Sequence, residues 1–181
     1  MLDFKSYQEI NSKAIKSIKT DSDGDTISDC FNTLVFYFLF YALPLLFSIL
    51  IFVYDVKISS FDKVTATGVA IFTGLFFSLL LNISSRIRIE KDNPNIDNKA
   101  FERYKNNMKQ IANITLYIIS LGIYILSLLL INHILKDALS KYVEISLTAI
   151  IFFMIIRYLI SILFMIQRFR FIIRDEIENI L

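Results

Sequence analysis

Residues 110–135, QIANITLYIISLGIYILSLLLINHIL, run without an Asp, Glu, Lys or Arg between Lys109 and Lys136. A helix needs about 20 apolar residues to cross the hydrocarbon of a bilayer, so this stretch reads as a membrane span. Three more stretches share the pattern: Leu34–Tyr54, Val64–Ser85 between Lys63 and Arg86, and Ile145–Gln167 between Glu144 and Arg168. The last is interrupted once, by Arg157. The runs are continuous rather than alternating, which points to helices and not to the strands of a barrel. Composition agrees, since 55% of the 181 residues are hydrophobic and 17 are Phe, more than one soluble core of this size would hide. The expected fold is an all-α integral membrane protein of four transmembrane helices, its membrane domain filling 34–181 behind a 1–33 segment.

Lys and Arg set the expected orientation, because short loops rich in them stay cytoplasmic. Lys5, Lys13, Lys16 and Lys19 precede span one. Arg86, Arg88, Lys91, Lys99, Arg103, Lys105 and Lys109 separate spans two and three, and Arg168, Arg170 and Arg174 follow span four. The other two loops hold only Lys57, Lys63, Lys136 and Lys141. Both termini are therefore expected in the cytoplasm, and no pattern of a cleavable signal peptide precedes span one. With one Cys (Cys30) and one His (His133), neither an intrachain disulfide nor a multi-histidine metal site can form. Glycine-rich phosphate loops are missing from the sequence, and no cofactor is expected.

Outside the spans, Phe4, Tyr7, Ile10, Ala14, Ile15 and Ile18 fall on one face of a helix over residues 4–19, opposite its four lysines. Such a helix either lies on the inner leaflet, apolar stripe down, or packs that stripe on protein. The segment Asp21-Ser22-Asp23-Gly24-Asp25-Thr26-Ile27-Ser28-Asp29 resembles calcium loops of the thrombospondin type 3 and dockerin kind through Asp21, Asp23, Asp25 and Asp29. Thr26 replaces the turn glycine, however, and Asn32 stands where a bidentate acid is expected, so the segment reads as an acidic linker capping span one. Cys30 beside the membrane reads as a buried thiol, with acylation as the alternative. Asp92-Asn93-Pro94-Asn95 breaks the long basic loop into two helical arms. Beyond Asp97, Phe101, Tyr104, Met108 and Ile111 continue a helical stripe into span three, predicting a helix longer than its span. With the tail 168–181, striped by Ile173, Ile177 and Ile180, this forms a basic and apolar helical extension in the cytosol. Arg86, Arg88, Arg103, Lys105, Arg168, Arg170 and Arg174 are its candidate partner-docking residues. Packing of the stripes on one another is the competing reading.

Within the spans, Arg157 stands thirteenth of 23 residues, roughly 15 to 20 Å along the helix from either charged flank at 1.5 Å per residue. No Asp or Glu lies in any span to neutralise it. Its expected partners are Ser120, Tyr124, Tyr41, the Phe40 carbonyl that Pro44 cannot reach, or an anion or lipid phosphate, so structural and functional roles both stand. On span three, Asn113, Tyr117, Ser120, Tyr124 and Ser127 share a polar face that meets protein or water. On span two, Ala66, Ala70, Gly74 and Ser78 form a small-xxx-small ladder for helix packing, within the chain or between copies. Catalysis is not expected, since the spans hold no carboxylate and His133 lies at the outer end of span three.

Length, four spans with cytoplasmic termini, a basic cytosolic crown and a composition rich in Ile, Asn, Lys and Phe together resemble the KwaA family, the small membrane subunits of the bacterial Kiwa antiphage system. The resemblance implies an oligomeric inner-membrane sensor of phage attack that engages a cytosolic DNA-binding partner, KwaB, without itself contacting nucleic acid. It makes the crown the partner surface and the N-terminal helix a reporter of membrane disturbance. The rival expectation is a small oligomeric pore lined by Arg157 and the polar face of span three. A transporter accessory subunit is a third, because four spans without an inverted repeat do not make a secondary transporter.

Overall fold

The computed structural model describes residues 4–19, 30–54, 62–91, 98–135 and 140–180. For residues 4–7, 30–32, 62, 90–91, 98–100 and 171–180 it describes the backbone alone. The acidic segment Asp21–Asp29, the Asp92–Asn95 break and the Asp97 cap lie outside these residues, as do the side chains of Cys30 and Arg174.

Among the described residues the chain is helical, with no strand. The order is α1 (Phe4–Lys19), α2 (Cys30–Tyr37), a π-helical turn (Phe38–Ala42), α3 (Leu43–Val53), α4 (Asp62–Lys91), α5 (Asn98–Leu135) and α6 (Lys141–Ile180). Four stretches are long and apolar enough to cross a membrane: Thr33–Val53, Lys63–Ile89, Phe101–Leu135 and Lys141–Arg170. Each contains most of a span read from the sequence. α5 begins at Asn98, twelve residues before its uncharged run, as its unbroken stripe of Phe101, Tyr104, Met108 and Ile111 predicts. α6 likewise continues through its basic residues to Ile180.

The first span is one rod in three pieces because of Pro44. Proline has no N–H to give the carbonyl four residues back, and its ring crowds that carbonyl. The backbone widens by one residue ahead of it: the Leu43 N–H donates to the Phe38 carbonyl, five residues back. Pro44 then falls in the first turn of α3, where a missing N–H costs little. α3 closes with the Tyr54 N–H on the Leu50 carbonyl at 2.9 Å. At the other end of the chain Ser140 starts α6, its carbonyl accepting from the N–H groups of Val143 and Glu144 at 3.0 and 3.1 Å.

The chain divides into two compact units, and α4, α5 and α6 contribute a stretch to each. The first unit takes Met1–Asp29, Phe76–Ile118 and Ser161–Leu181. Its interior is built from Ala14, Ile83, Met108, Ile111, Ile114 and Met165. Thr115 lies fully buried there, its hydroxyl bonded to the Ile111 carbonyl at 2.8 Å and reaching the Met165 sulfur at 3.9 Å, which ties α5 to α6. The second unit takes Cys30–Leu75 and Ile119–Ile160. Phe40, Leu121, Ile125, Ile151 and Tyr158 fill its interior. Of the four span-length helices α5 is the most buried and α4 the least, and α4 leaves Ile71, Phe72, Leu75, Phe77 and Leu81 exposed. A helix so apolar and so little covered by its own chain is suited to hydrocarbon surroundings.

Hydroxyls on these helices are largely met by their own backbone. Thr67, Thr115, Ser127 and Ser146 each donate to the carbonyl four residues earlier, at 2.8 to 2.9 Å. That habit lets Ser and Thr sit in apolar helices without an unmet donor.

Candidate functional site

Two clusters of polar and charged groups stand out, one in each unit. In the second unit the guanidinium of Arg157 lies over aromatic ring faces. Its Cζ is 5.2 Å from the centre of the Phe40 ring, 5.3 Å from that of Tyr41 and 5.8 Å from that of Phe153. Phe40 and Tyr41 belong to the π turn, so the residue that Pro44 forces into the span also sets two adjacent rings beside the cation. Phe36, one turn earlier, stacks on Phe40 with centroids 5.1 Å apart and planes 18° apart, holding that ring in place. Phe153 precedes Arg157 by one turn on α6 and closes the cage from its own helix. A ring face carries partial negative charge, and away from water each such contact is worth about 0.5 to 2 kcal/mol. Several together offset part of the cost of a charge among apolar side chains. Tyr41, expected from sequence as a partner, and Phe40, expected through its carbonyl, both meet Arg157 with a ring face.

Around this cage the second unit is fastened by three further contacts. The Ser48 hydroxyl donates to the Ala149 carbonyl at 2.9 Å, joining α3 to α6. The hydroxyls of Thr73 and Tyr158 meet at 3.4 Å, joining α4 to α6. Gly122 on α5 packs directly against the Thr73 side chain, whose hydroxyl oxygen occupies the place a Cβ would take. Sequence reading overlooked this node. The signal that could have found it is that Gly122 is the sole glycine of span three, halfway along.

In the first unit α1 is anchored by its C-terminal end. The Asn113 side-chain amide on α5 donates to the Ser17 hydroxyl at 3.1 Å. One guanidinium nitrogen of Arg168 on α6 donates to the carbonyls of Ser17 and Ile18, at 3.1 and 3.4 Å. The last carbonyls of a helix lack partners within it and carry its negative pole, so an arginine there satisfies both hydrogen bonding and charge. Ala14, Ser17 and Ile18 are buried beneath this clasp, whereas Gln8, Glu9, Ser12, Lys13 and Lys16 on the other face are exposed. Of the two readings of the amphipathic stripe, the structure adopts packing on protein for Ala14 and Ile18.

Among the described side chains of this unit the exposed charges are mostly basic. Lys13, Lys16, Arg86, Arg88, Arg103, Lys105, Lys109 and Arg170 are exposed. Its described acidic side chains, Glu9 and Glu102, are already engaged by Lys13 at 2.6 Å and Lys105 at 2.9 Å. The Lys13 hydrogen bond and charge hold the Glu9 carboxyl below the usual carboxylate range. Arg168, read as a docking residue, is only partly exposed and serves the α1 clasp. In the stripe leading into span three, Met108 and Ile111 are buried.

The polar face of span three is divided among different environments. Asn113 is bonded to Ser17, Tyr117 is fully buried, Ser120 is half-buried, Tyr124 is exposed, and Ser127 turns its hydroxyl onto its own helix. On span two Ala66 is half-buried while Ala70, Gly74 and Ser78 are exposed, and no atom of a neighbouring element comes within 4 Å of a Cβ placed on Gly74. Within the chain a close approach of α4 to α5 is made at Gly122. Among the described residues no three His, Cys, Asp or Glu side chains gather where they could hold a metal ion. Comparison with protein families, curated proteins and solved structures finds no match to this chain.

Proposed function

We propose that the chain is a non-enzymatic sensor and scaffold subunit of an antiphage defence complex in the bacterial inner membrane, both termini cytoplasmic. In this reading it assembles as a homo-oligomer and recruits a soluble cytosolic protein through its basic face, as the KwaA resemblance implies for KwaB. The observation that carries it is the group of cations exposed on the described surface of the first unit, Arg86, Arg88, Arg103, Lys109 and Arg170, with Lys105 beside them paired to Glu102. Clustered exposed cations favour an acidic protein surface by steering and by complementarity. The exposed Ala70, Gly74 and Ser78 ladder, unused within the chain, is the natural seam between copies. The pore reading has less to draw on, because Asn113 and Ser127 spend their polar groups within the chain.

The test is a mild-detergent pull-down of tagged protein from its host, with the mass of the complex and its co-purifying chains determined. A soluble partner is expected with the native chain. Its loss is expected when Arg86, Arg88, Arg103 and Lys105 are changed together to Gln, the oligomer remaining intact. Recovery of a homo-oligomer alone, or a partner indifferent to the four substitutions, refutes the docking assignment. A conductance of that oligomer in planar bilayers, lost in Arg157→Leu, would establish the pore in its place.

A further inference from the structure

We propose that Lys109 on α5 and Arg170 on α6 together hold the headgroup of an anionic phospholipid where spans three and four leave the hydrocarbon. The proposal rests on the membrane-embedded reading above and not on the recruited partner. Both side chains are exposed and both belong to the first unit. Lys109 immediately precedes the uncharged run of span three, and Arg170 follows that of span four by three residues. A cation placed where a helix leaves the hydrocarbon stands at the depth of the lipid phosphates.

The contacts between α5 and α6 put these two cations at one level. The Thr115 hydroxyl reaches the Met165 sulfur at 3.9 Å, and Asn113 and Arg168 both donate to Ser17. The partner on α6 moves forward along the chain as that on α5 moves back, so the two helices run antiparallel in this register. Lys109 is six residues before Thr115, about 9 Å along α5, and Arg170 is five residues after Met165, about 7.5 Å along α6. Both steps lead the same way along the helix pair. Packed helices stand about 8 to 10 Å apart between axes, a gap that a phosphate flanked by one Lys and one Arg side chain can bridge. The pair also suits a phosphodiester chemically, since Arg offers a planar fork to two phosphate oxygens and Lys a compact charge. Arg103 is equally exposed but lies six residues before Lys109, about 9 Å farther along α5 from that level.

The experiment titrates the full chain, delipidated in mild detergent, with phosphatidylglycerol or phosphatidylcholine of the same acyl chains and counts bound lipid by native mass spectrometry. Phosphatidylglycerol is expected to bind at least about fivefold more tightly than phosphatidylcholine. Changing Lys109 and Arg170 together to Gln should bring the two lipids within about twofold of each other. Arg103→Gln should keep the full preference, and Arg170→Lys, which keeps the charge and loses the fork, should keep part of it. Equal binding of the two lipids by the native chain overturns the headgroup site, whatever the variants do. A preference that survives the double substitution, or that Arg103→Gln removes just as well, overturns it too. Binding of neither lipid would overturn the membrane-embedded reading along with the site. The four substitutions of the pull-down spare both residues, so a docking assignment that fails there leaves this measurement unchanged.

Discussion

Gly122→Ala is the sharpest probe of the second unit, because the structure says what the added methyl meets. A Cβ on Gly122 would fall on the Thr73 hydroxyl oxygen, with the Thr73 Cβ and Cγ2 at 3.3 and 3.4 Å. The strain cannot be relieved by a flexible tip, since Thr is branched at Cβ and its rotamers are few. Either α4 and α5 separate or Thr73 turns, and turning breaks its 3.4 Å contact with Tyr158. Overpacking of this kind costs about 1 to 3 kcal/mol. The long hydrogen bond between hydroxyls adds about 0.5 kcal/mol, near the average for such bonds between membrane helices. The expected loss is thus about 2 to 3 kcal/mol, read as a shift of the unfolding midpoint in detergent titrated with a denaturing surfactant. Thr73→Ala removes the colliding oxygen and Cγ2 and leaves a Cβ that fits with a small adjustment. In the double variant Gly122→Ala should therefore cost at least about 1 kcal/mol less than alone, a coupling typical of residues in contact. Additive effects, or Gly122→Ala as stable as the native chain, would show that the two helices do not meet at this point.

Four further outcomes follow from the clusters. Phe40→Leu should lose more stability beside Arg157 than in an Arg157→Leu background, by about 0.5 to 2 kcal/mol, the value of the cation–π contact. Arg157→Leu trades the loss of its ring contacts against removal of a charge costing at least about 2.5 kcal/mol in hydrocarbon, so its stability should stay within about 2 kcal/mol of the native chain. A loss above about 2 kcal/mol in the same unfolding titration would mean that the guanidinium is held by stronger bonds than rings. Ser17→Ala, which leaves the Asn113 amide without its acceptor, should speed hydrogen exchange over α1 by about threefold to tenfold, equivalent to about 0.5 to 1.5 kcal/mol; protection equal to the native chain would place α1 elsewhere. The Glu9 carboxyl has its folded value lowered by Lys13, so the support it lends α1 is present above the ordinary carboxylate value and disappears as pH falls through the lowered one. α1 protection should accordingly be flat from neutral pH down to the usual carboxylate range and decline only in stronger acid. A decline near neutral pH would point to another group.

The architecture was legible because hydrocarbon imposes a one-dimensional rule. A helix must be long and uncharged to cross it, and Lys and Arg mark where it stops, so four runs in the sequence become four span-length helices. Continuity of α5 from Asn98 was legible for a related reason, since an apolar stripe at helical spacing with no breaker has no cause to end at the first lysine. The lone cation among uncharged residues was equally visible, as was the role of Pro44 in loosening the turn beside it. Which face of which helix meets which partner was not. Ridge and groove packing depends on side chains from helices far apart in sequence, and nothing local distinguishes Gly74, which touches no neighbouring element, from Gly122, which touches Thr73.

The sequence by itself therefore determined the number and extent of the span-length apolar helices, the amphipathic character of α1 and the presence of one arginine among uncharged residues. Tertiary structure alone decided that Arg157 is met by the faces of Phe40, Tyr41 and Phe153. It alone decided that Arg168 turns from the exterior to the carbonyl end of α1. Burial is a solvent preference that each residue carries along the chain, whereas a cation's choice among rings, carbonyls and water is settled by whichever groups the packed helices bring within a few ångströms.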